Sequence, residues 1–325
     1  MKHQAEYFSN VYASMKKEVG KVVVGNSAMI DDVLIAFFCG GHILLEGLPG
    51  LGKTLLVKTM ARVLGLNFSR IQFTPDLMPA DIIGTTVMSQ SSGGERSFRF
   101  QKGPLFANIV LADEVNRATP KTQSALLEAM GEGQVTVGGT THKLEEPFFV
   151  LGTQNPIEME GTYPLPEAQL DRFMFKILVE LPDKDALLAI IDRNITNVKI
   201  EVENKTSSQI IARIRELVRD VPIADPIKEF VAKLVLATQP ASKYAVPITK
   251  KYVSYGASPR GLLAIVHSAK ARALVQGRLH VSMEDVQRVA VAALRHRLIL
   301  NFEGEAEGIT TDYVIGKLLE FGEKF

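Results

Sequence analysis

Cysteine is nearly missing: Cys39 is the only one in 325 residues. An intrachain disulfide and a cysteine-rich zinc site are excluded, and a reducing compartment fits. Cys39 sits in an apolar run, so core packing is its expected role. Charge of one sign is missing too. The 37 lysines and arginines against 36 aspartates and glutamates leave a formal net charge of +1. That balance gives no global attraction to nucleic acid or to an anionic membrane. Long apolar runs are absent. The longest, residues 33–39, ends at Gly40-Gly41-His42, far short of the about 18 residues that span a bilayer. The opening MKHQAEYFSN has no apolar stretch of the signal-peptide kind. A cytoplasmic chain with no membrane span is expected. Internal repeats and low-complexity segments are also lacking. What remains is ordinary for a globular chain, 46% hydrophobic and 22% charged. The length suits one large domain and a smaller one.

Against that background one stretch stands out. Residues 47–54, GLPGLGKT, fit the phosphate-loop pattern G-x-x-x-x-G-K-[ST] without a mismatch. The apolar HILLE before it reads as a buried strand. After it, Leu56, Met60, Val63 and Leu64 recur at helical spacing. The loop therefore joins a strand to a helix. Gly47, Gly50 and Gly52, with Leu48, Pro49 and Leu51 between them, let backbone approach a phosphate. The N–H groups of the loop and of the first helical turn, Leu55 included, point at the anion, and the helix dipole adds attraction. Lys53 can reach the β- and γ-phosphates, and the Thr54 hydroxyl can ligate magnesium.

A second landmark lies about sixty residues on. NIVLADE, residues 108–114, is an apolar strand ending in Asp113 and Glu114. Ligands bind beyond the C-terminal ends of such strands. Asp113 can share a magnesium with Thr54, and Glu114 can orient and deprotonate an attacking water. A further apolar strand, residues 148–153, ends in Gln154-Asn155-Pro156. Asn155 can hydrogen-bond water or a γ-phosphate; alternatively it only makes an Asn-Pro turn.

The segments between are expected as follows. Residues 1–20 form an amphipathic helix, and Gly25-Asn26-Ser27 a turn and cap before a second one. In many nucleotide-binding folds the segment ahead of the first strand lies against the base, which makes Val24 and Gly25 candidates. Residues 67–73 are a second strand. Within residues 74–106, Gly93-Gly94 between alternating segments predicts a β-hairpin. Phe98 and Phe100 give it one apolar face, read as a contact surface. Residues 133–146 predict a second hairpin around Gly138-Gly139. Arg172 ends a helix before a last strand at residues 175–181. Residues 1–182 are thus read as an αβα nucleotide-binding domain, and residues 183–325 as all-helical, with caps at Ser258, Ser282 and Thr311.

Arg260 is out of place for a helix. With Ser258 as cap and Pro259 next, it falls in the first turn, where a cation opposes the helix dipole by about 0.3–1 kcal/mol. A bound phosphate would reverse that sign. The expectation is that Arg260 reaches from the helical domain to the nucleotide, making that domain a lid.

Taken together, GLPGLGKT, IVLADEVNRATPKTQSALLEAMGEGQVTVGG, LGTQNPIEMEGTYPLPEAQLDRFMFK and GASPR resemble the MoxR family of AAA+ ATPases over residues 22–300. The resemblance implies a P-loop αβα core of parallel strand order 5-1-4-3-2 with a C-terminal helical lid. It implies magnesium-dependent ATP hydrolysis at the subunit interfaces of a homo-oligomeric ring, usually a hexamer. Carried over, Lys53 and Thr54 belong to the first motif and Asp113 and Glu114 to the second. Asn155 matches the polar sensor, and Arg260 the second sensor. Arg172 matches the arginine that relatives insert into a neighbour's site; Arg117 is a second candidate. The family usually has Gln after VVG, where this chain has Asn26, which leaves the base contact open.

The resemblance further implies a chaperone-like role in maturing a partner complex or inserting a metal cofactor. A von Willebrand A domain protein is the expected partner. This chain has no D-x-S-x-S run, so that partner would be separate. A pore-loop motif and the guanine-reading NKxD run are also missing. A helicase- or loader-like nucleic-acid remodeller is the alternative, kept open by Arg96, Arg99 and Lys102; salt-dependent DNA binding would decide it. A structural ATP-binding module is a third reading, opposed by the intact Asp113–Glu114 pair.

Overall fold

The computed structural model describes residues 2–90, 96–157, 161–195 and 200–322. Two helices, α1 (Lys2–Val22) and α2 (Ser27–Cys39), precede strand β1 (His42–Glu46). Helix α3 (Lys53–Leu64) leads to β2 (Phe68–Gln72), then to α4 (Pro79–Ile83). An antiparallel pair, β3 (Gly84–Gln90) and β4 (Arg96–Lys102), is followed by β5 (Ile109–Asp113) and α5 (Pro120–Glu132). A second pair, β6 (Gln134–Val137) and β7 (Thr140–Lys143), precedes β8 (Phe149–Gln154), α6 (Glu167–Leu170) and β9 (Phe173–Leu178).

The five longer-range strands form one parallel sheet, ordered β2-β5-β8-β1-β9. Read from β9, this is the expected order 5-1-4-3-2. The three inner strands β1, β5 and β8 are chiefly apolar and buried because both faces are covered. Ile43, Leu45, Leu111, Leu151 and Phe175 pack on the side of α1, α2 and α3. Leu44, Val110, Ala112, Val150 and Phe173 pack on the side of α5. His42 pins the two sides together. Its Nδ1 accepts the Val150 N–H at 3.0 Å, so Nε2–H donates to the Met130 carbonyl at 3.1 Å. Burial pushes its pKa down to about 4, which keeps the ring neutral.

The chain continues through α7 (Lys184–Ile195), α8 (Ser208–Asp220), α9 (Asp225–Ala237) and α10 (Pro247–Tyr252). Strand β10 (Val253–Tyr255), α11 (Pro259–Val275) and α12 (Met283–Leu294) come next. Strand β11 (Ile299–Leu300), α13 (Phe302–Ala306) and α14 (Thr311–Gly322) complete it. The C-terminal region is therefore not wholly helical: β10 and β11 pair antiparallel. Strands of three and two residues are too short to show alternation. Ser258 and Ser282 cap as expected, but the last helix is capped by Thr310, whose Oγ1 accepts the Tyr313 N–H at 3.1 Å. Among the described residues no helix is long and apolar enough to cross a membrane.

Both hairpin expectations meet antiparallel pairs. The Gly93-Gly94 turn lies outside the described residues. Met88 stands opposite Phe98, and Thr86 opposite Phe100. Phe100 stacks on His142 of the second pair, centroids 4.0 Å apart, and meets Phe106 edge-on. Phe98 is instead 77% exposed. The first hairpin is thus docked at its base and, beyond it, exposes the cross-strand pair Met88 and Phe98.

Candidate functional site

The loop after β1 turns on two glycines in the left-handed region, Gly50 at φ 82° and Gly52 at φ 76°. Gly47 is needed for space, since a Cβ there would lie 2.8 Å from the Val179 carbonyl oxygen. Gly52 caps α3, so Lys53 and Thr54 open its first turn with their N–H groups free of helical partners. Lys53 Nζ donates to the Gly47 carbonyl at 2.6 Å. Its pKa is lowered, mainly by burial, with Asp113, Glu114 and Glu46 pulling the other way.

A cleft of about 400 Å³ opens over the C-terminal ends of the strands. Pro49 to Leu55 line one wall; Asp113, Glu114, Thr153 and Asn155 line the other, with Arg70 at its edge. Thr153 organises the acidic pair. Its hydroxyl donates to Asp113 Oδ1 at 2.6 Å and accepts the Glu114 N–H at 2.9 Å. That second bond holds Glu114 in a left-handed conformation, φ 57°, which costs a residue with a Cβ. Arg70 holds the other Asp113 oxygen, with Nη2 at 2.6 Å and Nε at 3.1 Å. Glu114 Oε2 accepts from Gln72 Nε2 and from Arg117 Nη1, each at 2.8 Å. Asn155 Oδ1 accepts the Ile157 N–H at 3.2 Å. Asn155 therefore makes the Asn-Pro turn and still lines the cleft, its amide nitrogen left for the pocket.

Beyond the loop the cleft runs into a cavity of about 430 Å³. Val22, Val24, Leu55, Leu181 and Ile190 line it, with Arg193 from α7. Gly25 does not line this cavity but packs on α7, where a Cβ would lie 2.6 Å from that of Ala186.

Two sequence candidates lie elsewhere. Arg172 precedes β9, whose Phe173 is level with His42 and whose Leu178 is level with Glu46. Arg172 is thus at the N-terminal edge of the sheet, a strand length of about 17 Å from the loop. Its guanidinium donates to the Leu127 carbonyl, within α5. Arg260 is at the same edge. Its Nη1 lies 3.6 Å from Asp171 Oδ2, while Ser258 and the buried Arg297 also bind that carboxylate. Arg260 does not line the cleft of its own chain. The anion that offsets its unfavourable place on the helix is Asp171, supplied by the residue before Arg172.

Sequence reasoning also passed over Arg70, Gln72 and Thr153. All three are polar residues in strands otherwise read as apolar, and Arg70 and Gln72 share one face of β2 by their period of two. The polar alternation in FSRIQ was the available signal.

A phosphate loop at the end of β1, paired acids at the end of β5 with β8 between the two strands, and a helical C-terminal region define an AAA+ P-loop ATPase. The family model "ATPase family associated with various cellular activities (AAA)" matches residues 42–175, and "AAA lid domain" matches residues 247–318. Chaperone MoxR1 of Mycobacterium tuberculosis is 43% identical over 93% of this chain and 79% of its own length. Protein MoxR of Methylorubrum extorquens is 31% identical, covering 89% of this chain and 87% of that one. The crystal structure of a candidate ATPase from Cytophaga hutchinsonii superposes with a TM-score of 0.91 at 46% identity, covering 98% and 96% of the two chains. The chain belongs to the MoxR family of AAA+ ATPases.

Proposed function

We propose that this chain is a magnesium-dependent ATP hydrolase whose cleavage step is completed by a neighbouring copy. The observation that carries the reading is the convergence of Lys53, Thr54, Asp113, Glu114 and Asn155 on one cleft. Backbone N–H groups of residues 50–55, with Lys53, would bind the triphosphate; Pro49 has none and that of Gly47 donates to the Gln154 carbonyl at 3.2 Å. Val24 and Gly25 lie beside the expected base position, Val24 lining the cavity and Gly25 shaping it through α7. A hydroxyl and a carboxylate facing the same cleft suit magnesium, which takes few protein oxygens and keeps waters and substrate phosphates. Thr54 and Asp113 would hold it. When bound, it neutralises charge developing on the phosphate oxygens. Glu114, held by Gln72 and Arg117, would orient the attacking water and take its proton. Asn155 would position that water through its free amide.

Arg117 already serves Glu114 in its own chain, so Arg172 is the better candidate for action on a neighbour. Arg260 joins it on the same sheet edge, facing away from the home pocket. A closed ring in which each copy presents this edge to the next pocket accounts for both; six copies is the family expectation. We place the division between the αβα domain and the lid at residue 182, ahead of α7. The exposed pair of the first hairpin, Met88 and Phe98, is assigned to a client or to a separate von Willebrand A domain protein. Maturation or metal loading of that client is the role, in the cytoplasm. The nucleic-acid reading is less well supported, because Arg96 and Lys102 share one hairpin face while Arg99 is on the other.

The test is a Glu114→Gln chain incubated with ATP and used as bait in native lysate. It should retain ATP and enrich one client over the parent chain. Rapid ATP turnover by this variant would contradict the role given to Glu114.

A further inference from the structure

The apolar walls of the cavity beside the phosphate loop are interrupted by two polar side chains, Asn26 and Arg193. Among the described residues lining it, Arg193 alone is charged, and its neighbours are chiefly valine, leucine and isoleucine side chains. Nη1 of Arg193 is buried and has no hydrogen-bond partner. Buried guanidinium nitrogens are ordinarily satisfied; Arg215 Nε and Arg272 Nε also lack a hydrogen-bond partner, but of the three residues only Arg193 lines this cavity. Arg297 shows the usual arrangement: it is buried, and it donates to the Asp171 carboxylate and to four backbone carbonyls.

We propose that Arg193 reads the base of the bound nucleotide, its guanidinium donating to an unprotonated ring nitrogen of a purine. This rests on the nucleotide reading given above. The cavity and the phosphate cleft share Gly50, Leu51, Gly52 and Leu55 as a common wall. A triphosphate on the loop therefore delivers its base into this cavity. A purine matches what the walls offer. Its flat faces suit Val24 and Leu55, and its ring nitrogens are acceptors lying in the ring plane. A guanidinium can only donate, so it selects an acceptor and rejects a protonated ring position. An apolar pocket with a few placed polar groups is the usual design for fixing a ligand's orientation. Arg193 stands near the end of α7, the first helix after the sheet. Base binding would thus tie α7 to the loop.

The test compares binding of ATP, of 1-deaza-, 3-deaza- and 7-deaza-ATP, and of inorganic tripolyphosphate, by calorimetry on the full chain. The parent should bind one deaza analogue roughly tenfold or more weaker than ATP, the size of a lost hydrogen bond to a charged donor. Arg193→Met should weaken ATP by the same factor and lose the discrimination. Its affinity for tripolyphosphate, which has no base, should equal the parent's; that equality also reports an intact fold. The assignment is overturned if the parent binds all three analogues as it binds ATP, or if Arg193→Met binds ATP as the parent does. It is also overturned if the variant loses tripolyphosphate and ATP alike. A parent that binds neither ATP nor tripolyphosphate overturns the nucleotide reading itself, and this assignment with it.

Discussion

Arg70 and Asp113 share a two-pronged ion pair, both guanidinium nitrogens meeting the same carboxylate oxygen at 2.6 and 3.1 Å. That oxygen belongs to the residue expected to hold magnesium. In the free chain, then, a guanidinium holds a carboxylate oxygen that magnesium would use. Removing it should favour the metal. Arg70→Gln is expected to lower the magnesium concentration giving half-maximal ATP binding by about fivefold, a partly exposed pair being worth roughly 1 kcal/mol. A magnesium titration at fixed ATP measures this. An unchanged or higher midpoint would show that Arg70 supports the site instead of competing for it.

Thr153 is a hinge between the two acids. Its single hydroxyl donates to Asp113 and accepts from the Glu114 backbone. Thr153→Val keeps the shape and removes both bonds. The Glu114 N–H loses its partner, an expected cost of about 1–3 kcal/mol in stability. With Glu114 no longer held in its left-handed conformation, kcat should fall at least about tenfold while ATP affinity changes little. Equal loss in binding and turnover would place Thr153 in general packing.

How much of this could be read from residues alone differs by feature. GLPGLGKT and the Asp113–Glu114 pair are local, and their strand contexts follow from apolar runs on either side. Strand order came through resemblance, because nothing in HILLE or IVLAD says which strand is its neighbour. Arg70 and Thr153 escaped notice because each acts across to another strand. Arg260 shows the limit most clearly. The helix-dipole argument correctly demanded an anion. It could not know that Asp171, 89 positions earlier in the chain, would be folded against it. The outer half of the first hairpin had a readable pattern, yet Phe98 and Phe100 fared differently: one meets His142 and the other meets solvent.

That difference is testable. Phe98→Ser should leave stability and basal ATP hydrolysis close to the parent's, since the ring is already 77% exposed. Client recovery with the Glu114→Gln background should drop sharply. Phe100→Ala should instead destabilise the fold, by about 1–3 kcal/mol, through lost stacking and burial. Undiminished client recovery by Phe98→Ser would move the client contact elsewhere.

Asp32 gives a pH signature. It sits under α12 with Arg288 at 3.3 Å, and burial pushes its pKa up from 3.8 to about 6. The folded chain then holds a proton that the unfolded chain gives up at lower pH. Stability from this group is full below the unfolded value and is lost as pH rises through the folded one. Asp32→Asn, which mimics the protonated form, should therefore be more stable than the parent at about pH 8, by up to about 3 kcal/mol. The two should converge at about pH 4. Urea unfolding across that range measures it. A variant less stable than the parent at the higher pH would show that the Arg288 pair outweighs desolvation.

The central claim is that one copy binds ATP and the next completes its cleavage. The direct measurement is hydrolysis by mixtures of Glu114→Gln and Arg172→Ala chains, with assembly confirmed by light scattering. Each variant alone should be slower than the parent, by roughly 10³–10⁵-fold where the arginine is lost. Mixed assemblies contain interfaces pairing an intact Glu114 with an intact Arg172, so activity should reappear on mixing and peak near equal proportions. Mixtures no faster than the average of their components would contradict the account and place catalysis within a single chain.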